Sequence, residues 1–122
     1  MSNKVLKVGI AGYGVVGKRR RRFIDQNPML KTVAVCDQYF ENEDVMPDGL
    51  RFSPSYKQLL QSPLDILFVC LPNYLAPEVT IAGLERGLHV FCEKPPGSTV
   101  TDIERVIDVE KRNAGLLSLI HI

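Results

Sequence analysis

Six residues near the start of the chain have types and spacing suited to holding a diphosphate. Gly12-Tyr13-Gly14-Val15-Val16-Gly17 matches G-x-G-x-x-G. The string gains its weight from context. An apolar run precedes it, a helical run follows, and a second apolar run ends in Asp37, 20 positions after Gly17. In that setting Gly12 permits the tight turn, Gly14 lets the backbone approach a diphosphate, and Gly17 lets the helix pack close to the strands. The free N–H groups and the dipole at the start of the helix attract the anion. Asp37 is placed to accept hydrogen bonds from a ribose 2′-OH and to repel a 2′-phosphate. NAD is therefore favoured over NADP, a preference that nearby arginines could reverse.

Two later segments join this loop at the same sheet edge. Leu71-Pro72-Asn73 ends the most apolar run of the chain, Leu64 to Leu71. Ligands of open parallel sheets bind beyond the carboxyl ends of strands, so the loop faces the cofactor. Asn73 can both donate and accept hydrogen bonds there, or simply cap a helix. Cys92-Glu93-Lys94-Pro95 ends the next apolar run. A lysine at that edge can stabilise negative charge developing on a substrate oxygen or share in proton transfer. Glu93 would hold and tune it. On residue chemistry alone, a solvated Glu–Lys pair is the simpler reading.

The elements that must position these residues alternate in type. Apolar, β-branched strands are expected at Val5–Ala11, Lys31–Asp37, Leu64–Leu71 and Leu88–Cys92. Helices are expected at Val15–Gln26, from Ser55 through Gln61, and from Pro72-Asn73 to about Arg86, with Gly87 as a stop. A last helix starts at Thr101, or at Ser98 or Thr99, and buries Ile103, Val106 and Ile107. Residues 38–54 are acidic and hold Pro47, Gly49 and Pro54. They read as loop with a short strand near Leu50–Phe52. This order predicts an α/β fold, a Rossmann-like doubly wound parallel sheet in three α/β/α layers, incomplete at the C-terminus.

Composition supports one soluble globular domain. The 122 residues are 45% hydrophobic and 24% charged, which excludes a disordered chain. The longest apolar run is far short of the roughly 18–20 residues of a membrane span. No cleavage signal precedes the first strand, so a cytoplasmic protein is expected. Cys36, Cys70 and Cys92 lack C-x-x-C spacing and sit in apolar runs. They read as reduced core thiols, with no metal site. Charge is uneven: residues 1–31 hold eight Lys/Arg and one acid, residues 32–122 seven and thirteen. The excess comes mainly from Lys18-Arg19-Arg20-Arg21-Arg22, which circles a helix rather than forming a stripe. A solvated face is the expectation, and no nucleic-acid partner is expected.

Taken together, the segments Val8–Gly17, Val35–Asp37, Leu71–Asn73 and Gly87–Pro95 resemble the glucose-fructose oxidoreductase / inositol dehydrogenase / MocA family of nicotinamide-dependent oxidoreductases. The Gly-x-His-Val-x-Cys-Glu-Lys-Pro run is the more specific carrier. The resemblance covers residue 4 to about 116. It implies hydride transfer at a CH–OH or C=O carbon of a sugar, sugar nucleotide or polyol. It also implies that Lys94 belongs to the Glu-Lys-Pro motif beside nicotinamide and substrate, and that the whole protein is a homo-oligomer. The family often carries His three positions after the Asn, where this chain has Ala76. His89 reads as a packed strand residue. Alternatives are a non-catalytic NAD(P)-binding sensor and a basic-arm interaction protein.

The resemblance further implies a second domain with the substrate pocket and a general acid/base, absent from this chain. Residues 1–116 are thus expected to be the dinucleotide-binding domain, inactive alone. Leu117-Ser118-Leu119-Ile120-His121-Ile122 is what CTG-TCT-CTT-ATA-CAC-ATC encodes, the string of a transposon mosaic-end sequencing adaptor. Residues 117–122 are therefore expected to be a non-native tail.

Overall fold

The computed structural model describes residues 5–72, 74–93 and 99–112, and the backbone of 117–120. The chain runs β1 (Leu6–Ala11), α1 (Val15–Asp25), β2 (Leu30–Cys36), β3 (Asp44–Val45), β4 (Arg51–Ser53), α2 (Tyr56–Leu59), β5 (Ile66–Val69), α3 (Ala76–Glu85), β6 (His89–Glu93), α4 (Val100–Arg112) and β7 (Leu117–Ile120). One sheet has the order β3-β4-β2-β1-β5-β6-β7. Every neighbouring pair is parallel except β3 with β4. The order reverses between β1 and β5, the switch point at which doubly wound sheets bind ligands.

Alternation along the strands divides the core between two faces. Val8, Ile10, Val35 and Ile66 pack with Ile24 of α1 on one face. Ala11, Ala34, Cys36, Leu67, Val69, Val90 and Cys92 pack on the other with Leu59 of α2 and Val79 and Leu84 of α3. Val109 of α4 joins this second cluster. The central strand β1 is covered on both sides, with Val8, Ile10 and Ala11 at 0% exposure. Continuous apolar strands are the sequence mark of such two-sided burial.

Several boundaries differ from the sequence reading for local reasons. Asp44–Val45 forms a two-residue antiparallel edge strand. It is too short to show any periodicity, and both residues are exposed. The last helix is capped by Thr99, whose Oγ1 accepts the Asp102 N–H at 3.1 Å, so Thr101 lies inside the helix. Its buried residues are Val106 and Val109, while Ile107 is 45% exposed, against expectation. The helix meets the molecule over a narrow stripe set by α3. His89 is exposed at the start of β6, not packed, because it sits at the amino edge of the sheet opposite the glycine loop. Among the described residues no helix is long and apolar enough to cross a membrane.

Candidate cofactor site

The glycine loop joins β1 to α1 at the carboxyl edge of the sheet. Gly12 has φ +95°, a left-handed conformation that disfavours a side chain. A Cβ there would also collide with the carbonyl of Cys70. Gly12 N–H donates to the Cys36 carbonyl at 2.9 Å, and Cys70 N–H to the Ala11 carbonyl at 2.8 Å. The turn is thereby sewn to both neighbouring strands. Gly17 lies where α1 crosses the loop, and a Cβ there would collide with the Gly12 carbonyl. Gly14 differs from both: a Cβ would meet nothing within 4 Å. It is the N-cap residue of α1, no side chain caps that end, and no acid lies in the first turn. The helix bonds begin with Lys18 N–H to the Gly14 carbonyl at 2.9 Å. The N–H groups of Val15, Val16 and Gly17 thus have no intrahelical acceptor. Open space, uncommitted donors and a positive dipole end coincide, which fits a diphosphate.

Asp37 stands just past β2, half-buried, and is anchored to this loop. Tyr13 N–H donates to Oδ2 at 2.8 Å and Tyr39 N–H to Oδ1 at 3.2 Å. Each carboxylate oxygen keeps a further lone-pair site for ligand hydroxyls. The Tyr39 hydroxyl donates to the Tyr13 carbonyl at 2.8 Å and closes the loop onto the glycine turn. Burial, with Asp37 and Tyr13 alongside, pushes the Tyr39 phenol up and keeps it a donor. Lys18 Nζ lies 5.7 Å from the Tyr13 ring centroid and 5.8 Å from that of Tyr39. A cleft of about 190 Å³ opens beside Asp37, lined by Gln38, Tyr56, Leu71, Leu75 and Val79 among others. A flat ring system next to a hydroxyl-binding carboxylate is the ligand such a cleft suits. Leu71 lines it; exposed Pro72 precedes the turn into α3. Ala76 is the first residue of α3, 1% exposed in the core.

The expectation of a solvated basic face is corrected by two of its five residues. Arg20 Nε donates to Glu93 Oε1 at 2.7 Å. Arg21 binds Asp25 at 3.2 Å, Asp48 at 3.0 Å and the Tyr13 hydroxyl at 2.8 Å. Burial disfavours the Arg21 charge, but its bonds to Tyr13 and Asp48 outweigh that, and its pKa is raised. Arg19 and Arg22 are exposed, as expected. The Glu93 carboxylate meets Arg20 on a helix 73 positions away; its expected hold on Lys94 falls outside the described residues. Asn73 and Lys94 lie outside the described residues. Tyr39 on the Tyr13 carbonyl, Gln38 in the cleft and Arg20 on Glu93 are neighbours of the site that residue spacing does not mark. Only the position of the tyrosine, two residues after the acid, could have hinted at its part.

A profile of the oxidoreductase family with the NAD-binding Rossmann fold matches residues 6–121. Inositol 2-dehydrogenase of Salmonella typhimurium strain LT2 is 30% identical over 114 residues, 88% of this chain and 34% of the relative. D-glucoside 3-dehydrogenase of Escherichia coli K12 is 29% identical over 123 residues, 97% of this chain and 35% of the relative. The crystal structure of scyllo-inositol dehydrogenase from Lactobacillus casei with bound NAD(H) and scyllo-inositol superposes with a TM-score of 0.81 at 25% identity. That match covers 95% of this chain and 36% of the other. The chain spans about a third of the length of the curated relatives it matches.

Proposed function

The chain belongs to the oxidoreductase family with the NAD-binding Rossmann fold, and from that premise we propose that it is the cofactor-holding part of a polyol, sugar or sugar-nucleotide dehydrogenase. The observation that carries the reading is the pairing of two features. Gly14 leaves an open cradle at the start of α1, and the Tyr13 N–H holds the Asp37 carboxylate beside the same loop. The diphosphate lies on the first turn of α1. Asp37 takes the ribose hydroxyls, and the cleft at Leu71 and Leu75 takes the adenine. When bound, the nicotinamide supplies hydride acceptance or donation. Asp37 selects NAD over NADP by charge.

Lys94, carried by the Glu-Lys-Pro motif, is the proposed catalytic residue, and Asn73 a cofactor contact. The dinucleotide-binding unit of residues 1–116 works with a substrate domain outside this chain, which supplies the substrate pocket and the acid/base group. The relatives named for inositol and glucoside dehydrogenation support a polyhydroxylated substrate. The engagement of Arg20 and Arg21 by acids on their own chain disfavours the basic-arm alternative.

Titration of the chain with NADH, followed by cofactor fluorescence, tests the reading. Saturable binding is expected, with NADPH weaker. Absence of binding to either cofactor would overturn it.

A further inference from the structure

The carboxyl end of β6 carries a buried charge whose partner comes from the diphosphate-binding helix. The Glu93 side chain is 5% exposed and that of Arg20 is 23% exposed. Arg20 Nε donates to Oε1 at 2.7 Å and Nη2 to Oε2 at 3.4 Å, close to a two-pronged fork. A carboxylate so far from water needs such a partner, because the cost of its desolvation is otherwise uncompensated. The hydrogen bond to Glu93 in turn raises the pKa of Arg20. Cys70 lies within their field: burial, then the Glu93 charge, pushes its thiol up to about 12, with Arg20 opposing. The carbonyl of Cys70 abuts the Gly12 turn. The pair therefore sits at the carboxyl edge of β5 and β6.

A dinucleotide crosses the sheet at the switch point between β1 and β5. Asp37 takes its adenosine end on the β2 side, so the nicotinamide end falls on the side of β5 and β6. Oxidised nicotinamide carries a positive charge and the reduced ring carries none. A fixed charge at this end of the crevice therefore distinguishes the two forms. We infer that the Arg20–Glu93 pair sets the site's preference between oxidised and reduced cofactor. Arg20 cancels a buried carboxylate that would otherwise draw the cationic ring. This rests on the NAD-binding reading above. Arg20 acts through Glu93 and is a positioning residue, not a catalytic one.

The test is the ratio of Kd for NAD+ to Kd for NADH, measured by calorimetry on the chain and its variants. Arg20→Gln removes the positive partner of Glu93 at 2.7 Å and is expected to move the ratio roughly three- to thirtyfold toward NAD+. Glu93→Gln removes the negative charge from this end of the crevice and is expected to move it toward NADH. Arg20→Lys keeps the charge and holds the ratio near the wild-type value. Opposite shifts in the two neutralising variants cannot arise from loosened structure alone. If Arg20→Gln does not fold, Glu93→Gln against Arg20→Lys still decides. A ratio that stays constant, or moves the same way in both, would overturn the inference while leaving the cofactor site standing. If the wild-type chain binds neither form, the site reading and this inference fall together.

Discussion

Asp37 organises the site before any ligand arrives. Its two oxygens gather the N–H groups of Tyr13 and Tyr39, which fix the glycine loop against the loop after β2. In the proposed function the same carboxylate takes the ribose hydroxyls. Asp37→Asn keeps one acceptor oxygen and removes the charge. The ratio of NADPH to NADH affinity is expected to rise roughly tenfold, in line with about 1.5 kcal/mol for a charged contact, measured by parallel fluorescence titrations. An unchanged ratio would show that Asp37 does not face the 2′ position. The core thiols make a second prediction at this scale. Burial pushes Cys36 and Cys70 from 9.0 up to about 12. Below pH 9 both are neutral whether the chain is folded or not, and the stability is fully present. Between about pH 9 and 12 the unfolded chain loses thiol protons that the folded chain keeps, so stability falls as pH rises. Urea midpoints across that range are expected to decline, and less steeply in the Cys36→Ala/Cys70→Ala variant.

At the scale of elements, the glycine loop separates packing from binding. Gly17 is where α1 rests on the loop, and any side chain there meets the Gly12 carbonyl. Gly17→Ala is expected to lower stability by about 1–3 kcal/mol, the usual cost of overpacking. Gly14 has empty space beside it and an ordinary negative φ of −85°. Gly14→Ala is expected to melt near the wild-type temperature while losing at least tenfold in NADH affinity, because the methyl occupies the cradle. Thermal melts and titrations on both variants check this. Equal loss of binding and stability in the two would remove the distinction. The long strands and helices of this layer were legible in the sequence through period and caps, such as Ser55, whose Oγ accepts the Lys57 N–H at 3.1 Å. The strand Asp44–Val45 was not legible, since two exposed residues carry no pattern and exist as a strand only through β4.

At the scale of the whole molecule, seven strands and four helices build one crevice at the switch point of a single sheet, among the described residues. The chain nonetheless spans about a third of its curated relatives. The expected outcome is that it binds NADH and shows no NAD reduction with inositols or glucosides. The same residues joined to a substrate domain are expected to show turnover, followed by NADH absorbance. Turnover by the chain alone would place the acid/base within it.

Local rules were enough to read much of this protein from its sequence. Gly12, Gly14, Gly17 and Asp37 announced themselves because turn, helix start and strand end lie within one continuous stretch, where spacing maps directly onto geometry. The alternation of apolar runs and helical stretches likewise gave the parallel sheet. Only the tertiary structure decided which charges meet. Arg20 sits in a run of five basic residues that share one sequence environment. Yet Arg20 finds Glu93, Arg21 finds Asp48 and Tyr13, and Arg19 and Arg22 face water. Helical rotation turns each side chain by about 100°, and the sheet order determines what stands opposite. Pairing across 73 positions depends on that order, which no local pattern of charges encodes.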